Sequence, residues 1–355
     1  MTAGTDVLDD LRTLGLPKED GQRFELRSTF TLRNELFQYP EFNRAIRAIA
    51  RIHHRGKINS AAEGLLFVAQ SGGGKSTVLN FYQSRFPPIE TSTGTVIPVL
   101  RVDVPESPTV KALVETILAA MGDPASNSGS STKKTHRIVH LFKACGVELL
   151  LLDEFQHFSD GRRPSECRHV SNWLKALMGR IKKPIVIAGL PRSILVLNQN
   201  EQLRRRFASP HYIKPFAFRT KAEQIEFRAV LNEIQELLPM ECPDLSEANM
   251  ARRFIYASNG LIDYVIKIVD DAASHPGSGK SGALTLEDFE DAFVRAVWCG
   301  APKSLNPFTK SVDFRELRGP CEPFSLWDDV EKYIAPRRSR VKEASLGSRK
   351  KGDAK

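Results

Sequence analysis

Residues 69–77 read Ala-Gln-Ser-Gly-Gly-Gly-Lys-Ser-Thr, a glycine-rich run between two segments of different pattern. An apolar run, 64–68, precedes it, and residues 77–82 have apolar side chains at helical spacing. A strand, a glycine turn and a helix N-terminus form the setting in which backbone N–H groups point at phosphate oxygens, and the helix dipole adds to the attraction. The usual first glycine of this pattern is Ala69 here, and a methyl group is tolerated at a strand end. The stretch therefore predicts a phosphate-binding loop.

The side chains of this loop have predicted roles. Lys75 would reach the β- and γ-phosphates, and the Ser76 hydroxyl would ligate Mg²⁺. The other loop residues predicted to hold the nucleotide are Ser71, Gly72, Gly73, Gly74 and Thr77.

A second motif follows at residues 147–154, which read Val-Glu-Leu-Leu-Leu-Leu-Asp-Glu. A near-continuous hydrophobic run of this length is typical of a buried strand in a parallel sheet. Asp153, at its carboxyl end, would bind the nucleotide's Mg²⁺, and Glu154 would polarise the water that attacks the γ-phosphate. The two motifs together, in this order, predict a protein that binds ATP or GTP with Mg²⁺.

Strand and helix patterns alternate through the first two thirds of the chain, which predicts an α/β fold. A five-stranded parallel sheet covered by helices on both faces is expected, with ligands at the carboxyl ends of the strands. The predicted strands are 64–70, 96–104, 147–154, 184–190 and 212–216. Helical patterns then follow at 221–238, 246–257, 262–273 and 286–297.

These patterns divide the chain into five parts. They are a flexible N-terminal segment (1–34), a nucleotide-binding α/β domain (35–217), a small helical lid domain (218–299), a proline-rich arm (300–335) and a basic disordered tail (336–355).

The chain of 355 residues has a formal net charge of +9 and a pI near 9.3, which favours a polyanionic partner. Eight basic and two acidic residues lie in 336–355, so much of the excess charge is in the tail. Five scattered cysteines without a C-x-x-C pair favour a reducing cytosol. No apolar run is long enough for a bilayer and no secretory signal is visible, so we expect a cytoplasmic protein without a membrane partner.

Four further motifs carry a family resemblance. They are Leu-Leu-Leu-Leu-Asp-Glu-Phe-Gln-His-Phe at 149–158, Pro-Ile-Val-Ile-Ala-Gly-Leu-Pro-Arg-Ser at 184–193, Gln-Leu-Arg-Arg-Arg-Phe at 202–207 and Gly-Leu-Ile-Asp-Tyr-Val at 260–265. With the loop at 69–77, they resemble the TniB/TnsC family of AAA+ ATPases that regulate transposition. The resemblance covers about residues 35–300, an AAA+ P-loop core and its helical lid.

The resemblance implies a function and partners. Such a protein would oligomerise on double-stranded DNA when ATP is bound, as a ring or a helical filament. It would mark a target site for a DDE transposase, with a TniQ-type targeting protein on its other side. The protein would be bacterial and cytoplasmic, and associated with the nucleoid when on DNA.

The resemblance also implies roles for basic residues. In AAA+ rings an arginine from the neighbouring subunit reaches the γ-phosphate, and Arg206, or else Arg205, occupies the corresponding position. A solvated basic helix end is the alternative. Lys111, Lys133 and Lys134 resemble positions that follow a DNA backbone, although each could equally be solvated surface charge.

Two groups that many AAA+ proteins place near the γ-phosphate are missing. The fourth predicted strand ends in Ala188-Gly189-Leu190 without a polar side chain, and residues 262–264 contain no arginine. Fewer preorganised groups give less transition-state stabilisation, so slow hydrolysis suited to a switch is expected.

Other functions stay open at this stage. A replication initiator or helicase loader of the AAA+ class would share the nucleotide motifs but should add a duplex-reading domain. The segment after Gly300 is too rich in proline and charge for one. A GTPase should contain an N-K-x-D motif, which the chain lacks, and a P-loop kinase would not need the helical lid.

Overall fold

The computed structural model describes residues 31–58, 62–92, 94–160, 164–275 and 282–325. Its strands are β1 (Gly64–Val68), β2 (Ile89–Thr91), β3 (Gly94–Val96), β4 (Val99–Asp103), β5 (Leu149–Asp153), β6 (Ile185–Gly189) and β7 (His211–Tyr212). The helices of the α/β part are α1 (Pro40–Ile58), α2 (Lys75–Ser84), α3 (Val110–Ala120), α4 (Ser131–Ala144), α5 (Pro164–Ile181), α6 (Ile194–Leu197) and α7 (Glu201–Arg204). Those that follow are α8 (Lys221–Glu236), α9 (Ala248–Ser258), α10 (Ile262–Ser274) and α11 (Leu286–Ala296). The predicted tail, 336–355, part of the predicted arm, 326–335, and most of the predicted flexible N-terminal segment, 1–30, lie outside the described residues.

Five strands form one parallel sheet in the order β4-β5-β6-β1-β7, which confirms the predicted fold class. Every residue of β1, β5 and β6 is buried, because helices cover both faces of the sheet. This is why these three strands read as continuous apolar runs. The register aligns Asp103 with Asp153 and Val68 with Gly189, so the carboxyl ends of the strands lie at one edge.

Two of the predicted strands have different bounds in the structure. The strand predicted at 96–104 is split, because Pro98 interrupts it. Val96 pairs antiparallel with Ile89 in a separate hairpin, and β4 begins only at Val99. The last strand was predicted at 212–216 but contains only two residues, paired with the end of β1.

The helical part is joined to the α/β part by a close backbone contact. Gly260 has φ +72°, in the left-handed region, and its carbonyl accepts a hydrogen bond from the Phe216 N–H at 2.8 Å. A Cβ at this position would collide with the Phe216 backbone, so only glycine fits here. This contact holds the residues just before α10 against the segment that follows β7.

The described part of the predicted arm packs on the helical part. Phe308 is fully buried between the rings of Phe254 and Phe289. The Arg253 guanidinium donates to the carbonyl oxygens of Pro307 and Thr309, at 2.6 and 2.7 Å. Residues 300–325 therefore contribute to the core of the helical part.

Residues 32–34, which the prediction assigned to the flexible segment, form a short 3-10 helix. The carboxylate of Asp270 on α10 accepts hydrogen bonds from the Thr31 hydroxyl and the Leu32 N–H, at 2.8 and 2.7 Å. These hydrogen bonds attach the segment that precedes α1 to helix α10 of the helical part. None of the helices in the described ranges combines the length and the apolar character needed to cross a bilayer.

Candidate nucleotide-binding site

The glycine run after β1 has the backbone that its sequence predicts. Gly72 and Gly74 have φ of +73° and +81°, and Gly74 is the N-cap of α2. An added Cβ at Gly73 would lie 3.0 Å from both the Ala69 Cβ and the Gln70 carbonyl oxygen. Glycine is needed here because residues with side chains rarely adopt the left-handed region and because the loop closes on itself. The result is an open cradle at the N-terminus of a helix.

Lys75 is folded over this loop. Its ammonium donates to the carbonyl oxygens of Ala69 and Gln70, at 3.4 and 3.2 Å, and the side chain is buried. Burial lowers the pKa of the Lys75 ammonium, whereas the nearby carboxylates of Glu154 and Asp153 favour its charged form. A phosphate group in the cradle would give this cation an anionic partner.

Asp153 lies fully buried at the end of β5 and brings three elements together. Its Oδ2 accepts hydrogen bonds from the Ser76 Oγ at 2.8 Å and from the Arg101 Nη2 at 3.0 Å. Its Oδ1 accepts from the Glu154 N–H at 2.9 Å. The two predicted Mg²⁺ ligands, Ser76 and Asp153, are thus adjacent, and hydroxyl and carboxylate oxygens suit that ion.

Arg101 was not predicted as part of the site. It lies in β4 between the buried residues Leu100 and Val102, on the opposite face of the strand, and its guanidinium also contacts Asn80 and Asp103. An arginine inside a predicted buried strand was the signal that could have identified it. Its charge compensates the buried Asp153 carboxylate.

Glu154 follows Asp153 in the left-handed region, with φ +54°. Its carboxylate accepts a hydrogen bond from the Gln156 side-chain amide, which sequence reasoning did not single out. The Gln156 Oε1 accepts in turn from the Leu190 N–H at 3.0 Å, at the end of β6. The predicted catalytic carboxylate is therefore tied to a neighbouring strand.

A cavity of about 400 Å³ opens above the loop. Of the predicted nucleotide-site residues, those that line it are Ser71, Gly72, Gly74, Lys75, Ser76, Thr77 and Glu154. Gly73 lies in the loop itself, and Asp153 lies beneath it. The volume is in the range of small-molecule sites and fits a nucleotide.

The other walls of the cavity come from distant parts of the chain. The segment before α1 and the first turn of that helix contribute Arg33, Glu35, Phe37, Tyr39 and Phe42. Helix α10 contributes Ile262, Asp263 and Ile266. These apolar and aromatic side chains form a surface on which a base could stack. No sequence motif identifies these cavity-lining residues, because they are spread over more than 200 residues of sequence.

The start of α10 turns a carboxylate toward the phosphate loop. A Cβ on Gly72 would lie 3.2 Å from the Asp263 Cβ, so the two backbones approach closely. The Asp263 carboxylate pairs with Lys267 at 2.7 Å. The start of α10 therefore contributes to the cavity wall a carboxylate that is paired with a lysine, and residues 262–264 contain no arginine.

Arg205 and Arg206 do not line the cavity of their own chain. Arg205 is exposed and pairs with Glu201 at 2.6 Å. Arg206 is half-buried, and its Nη1 donates to the Lys175 carbonyl oxygen on α5 at 3.5 Å. If either acts on a nucleotide, that nucleotide is bound to another copy.

The three predicted DNA-contacting lysines differ in exposure. Lys111 and Lys133 are exposed, near the starts of α3 and α4. Lys134 is fully buried, pairs with Glu115 and donates to the Asn127 carbonyl oxygen at 2.9 Å. The prediction of a DNA contact for Lys134 does not fit this position, because the ammonium is buried and is already bound by groups of the same chain.

The arrangement suits binding and hydrolysis of a nucleoside triphosphate. The loop N–H groups and Lys75 would hold the phosphates, and Ser76 and Asp153 would hold Mg²⁺. When bound, Mg²⁺ neutralises charge on the phosphate oxygens. The Glu154 carboxylate, facing the same cavity, would orient and deprotonate the attacking water.

Three solved structures with a similar fold illustrate the likeness. The ORC2 protein of Aeropyrum pernix, solved as ADPNP–ADP complexes, has a TM-score of 0.55 and 14% identity, covering 76% of this chain and 72% of that one. Cdc6p of Pyrobaculum aerophilum has a TM-score of 0.55 and 12% identity over 76% of this chain and 70% of its own. The ORC1 protein of Aeropyrum pernix, solved in complex with DNA, has a TM-score of 0.52 and 15% identity over 73% and 66%. At such identities the likeness shows the fold alone.

The family follows from the sequence itself. No curated protein matches the chain. The family described as "TniB: Bacterial TniB protein" matches residues 27–216, which is more than half of the chain and spans both nucleotide motifs. The protein is therefore a TniB-family ATPase.

Proposed function

We propose that this protein is an ATP-dependent regulator of transposition that assembles on double-stranded DNA. In this proposal the assembly links a TniQ-type targeting protein to a DDE transposase. The observation that carries the proposal is the TniB family match together with a nucleotide cavity that the candidate arginines of the same chain do not line. Such a cavity would be completed by a second copy of the chain, as a ring or a helical filament.

Dependence on assembly explains the placement of the arginines. The backbone of Arg206 is tied to β1, since its carbonyl oxygen accepts from the Gly64 N–H at 2.8 Å. The strand that leads into the phosphate loop therefore also holds the arginine segment. In the proposal, a neighbour's Arg206 or Arg205 supplies positive charge to the γ-phosphate, so that hydrolysis follows assembly.

The proposed DNA contacts are sequence-neutral. Lys111 and Lys133 are exposed lysines that would meet phosphate groups, and such contacts give affinity without reading bases. The ORC1 protein, which has a similar fold, was solved in complex with DNA, and this supports DNA as a partner. Binding of this kind is strongly salt-dependent, because it releases counterions. The bacterial cytoplasm, at the nucleoid, is the proposed location.

Slow hydrolysis fits a switch better than a motor. Helix α10 lines the nucleotide cavity with Ile262, Asp263 and Ile266 and contributes no arginine to it. With fewer preorganised cationic groups at the phosphates, the transition state is stabilised less. In the proposal, ATP binding forms the assembly and slow hydrolysis limits its lifetime.

Replacement of Lys75 tests the first step. In Lys75→Ala the cradle loses its cation, so we expect loss of fluorescent ATP-analogue binding and of ordered assemblies on duplex DNA in negative-stain images with ATP and Mg²⁺. Lys221→Ala, at an exposed position on α8, is the matched control and should assemble as wild type does. If a Lys75→Ala protein that no longer binds nucleotide still forms unchanged assemblies on DNA, the proposal is wrong.

The link to transposition needs a separate measurement. A DDE transposase reading frame beside the gene is expected, and transposition in cells should require wild-type protein and fail with Lys75→Ala. Transposition at the wild-type rate with that variant would mean that nucleotide-driven assembly has no part in it.

A further inference from the structure

We propose that Gln156 is a positioning residue that sets the orientation of the Glu154 carboxylate for ATP hydrolysis. The inference rests on the proposed catalytic role of Glu154. Gln156 does not line the nucleotide cavity, so it would act through Glu154 and not on the nucleotide itself.

Gln156 is a buried side chain with both ends of its amide engaged. Only 3% of the residue is exposed. Its Nε2 donates to the Glu154 Oε2, and its Oε1 accepts from the Leu190 N–H at 3.0 Å. The amide therefore bridges the candidate catalytic carboxylate and the end of β6.

The N–H of Leu190, the residue just after β6, determines the orientation of the Gln156 amide. A backbone N–H can only donate, so the Leu190 N–H selects the oxygen of the Gln156 amide. The amide NH₂ is then turned toward Glu154, where a carboxylate can only accept. The bridge is directional, and no other pairing of these three groups satisfies all of them.

Gly189 makes room for this bridge. A Cβ at that position would collide with the Ser193 Oγ and would lie 2.8 Å from the Gln156 Oε1 and 3.1 Å from the Gln156 N. The end of β6, which carries no polar side chain at 188–190, thus contributes to the site through a backbone N–H.

Glu154 is held at both ends. Its N–H donates to the Asp153 Oδ1 at 2.9 Å, its backbone is in the left-handed region, and its carboxylate is held by Gln156. Without the amide, the half-buried side chain would be free to sample other rotamers. A fixed carboxylate is what a general base needs to meet a water in one geometry.

The primary test is Gln156→Met, which keeps the shape of the side chain and removes its donor and acceptor. We expect kcat for ATP to fall about tenfold, a part of the 10²–10⁴-fold that a general base contributes. KM and the affinity for a fluorescent ATP analogue should stay within about twofold, because the cavity wall is unchanged. Gln235→Met is the matched control: its Oε1 accepts from the Leu245 N–H at 2.7 Å, far from the site, and kcat should not change.

A double-mutant cycle separates positioning from structural damage. Glu154→Gln alone should abolish most turnover, and full turnover in that variant would refute the proposed role of Glu154. If Gln156 acts through Glu154, adding Gln156→Met to Glu154→Gln should lower the residual kcat no further. The same fold-loss in both backgrounds would mean a structural role and overturn the inference, as would wild-type kcat in a folded Gln156→Met protein.

A second route covers poor folding of Gln156→Met. A Cβ at Gly189 would meet the Ser193 Oγ first, so the variant is made together with Ser193→Ala, which removes that contact. In this background Gly189→Ala places a methyl group against the Gln156 amide and should displace it, lowering kcat relative to Ser193→Ala alone with little change in nucleotide affinity. Its effect should also vanish in the Glu154→Gln background. An equal loss in both backgrounds would contradict the inference here too.

Discussion

Asp153 shows how much one buried carboxylate can organise. Ser76 on α2, Arg101 on β4 and the backbone of Glu154 all donate to it. The buried charge is acceptable because every oxygen has a partner and one partner is a cation. The elements that hold the nucleotide are therefore aligned by a group that also serves as a predicted Mg²⁺ ligand.

At the residue scale, the left-handed backbone of Gly74, the residue before Lys75, allows a prediction about stability and ATP affinity. Gly74 has φ +81° with open space around its missing Cβ, where the nearest atom is the Tyr39 hydroxyl at 3.5 Å. Gly74→Ala should lower the free energy of unfolding by about 1–2 kcal/mol, the cost of a left-handed alanine. It should also weaken ATP binding, because the methyl group obstructs close approach of phosphate to the backbone.

Gly122 is a matched control for that experiment. It has φ +78° after α3, and no atom lies within 4 Å of its missing Cβ. Gly122→Ala should cost a similar free energy in urea unfolding and leave ATP affinity at the wild-type value. Equal loss of affinity in both variants would mean that Gly74 acts through stability alone.

At the scale of elements, a buried histidine joins α1 to its neighbours. The ring nitrogens of His53 contact the Tyr82 hydroxyl on α2 and the Glu148 carboxylate just before β5, each at 3.0 Å. The Lys57 ammonium pairs with the same carboxylate at 2.7 Å. The helix that carries one wall of the cavity is thus fastened to the helix of the phosphate loop.

This contact makes stability depend on pH. Burial lowers the pKa of His53 below its ordinary value of 6.5, although Glu148 opposes the shift. The unfolded chain therefore takes up the proton first as pH falls. The His53 contribution is fully present above about pH 6.5 and is lost as pH drops through the folded-state pKa. Urea unfolding at pH 7.5 and pH 5.5 should show a larger loss of free energy in wild type than in His53→Gln.

His140, exposed on α4, controls for the loss of a histidine. His140→Gln should keep the wild-type difference between the two pH values. If His53→Gln keeps it too, protonation of His53 does not limit stability, and other histidines, which titrate between these two pH values, account for the pH dependence.

At the scale of the whole molecule, two incomplete proteins should complement each other. In the proposed assembly Arg206 or Arg205 acts on a neighbour's nucleotide. Both Arg206→Ala and Arg205→Ala should bind ATP normally, and the variant that removes the acting arginine should lose turnover, by up to the ~10³–10⁵-fold that arginine fingers supply in GTPases. Mixed with Glu154→Gln, which retains both arginines, the arginine variant that matters should regain part of its activity.

The outcome of mixing is decisive. Recovery in the Arg206 mixture and not in the Arg205 mixture would identify Arg206, and the converse would identify Arg205. Full activity of both variants alone would remove this segment from catalysis. The ATPase rate of each mixture, measured with duplex DNA against the mixing ratio, provides the readout.

Much of the architecture follows from local patterns. The apolar runs at 64–68, 149–152 and 185–188 predicted buried parallel strands, and the glycines at 72–74 predicted the cradle. These predictions succeed because burial on both faces and left-handed backbone each constrain the residue at its own position. The hairpin formed by residues 89–96 was not predicted. Pro98 separates it from β4 but lies within one apolar stretch, so the sequence predicted a single strand there.

The order of motifs along the chain was sufficient to predict a P-loop ATPase with a helical lid and the residues of its phosphate loop, because glycine conformation and strand burial are local constraints. Which side chains meet around the carboxylates was decided only in three dimensions. Three examples are the bridge from Glu154 through Gln156 to Leu190, the Arg101 contact with Asp153, and the hydrogen bond of the buried Lys134 to Asn127. These contacts join residues up to 52 positions apart in the sequence. Such contacts depend on strand order and helix packing, and no short stretch of sequence contains that information.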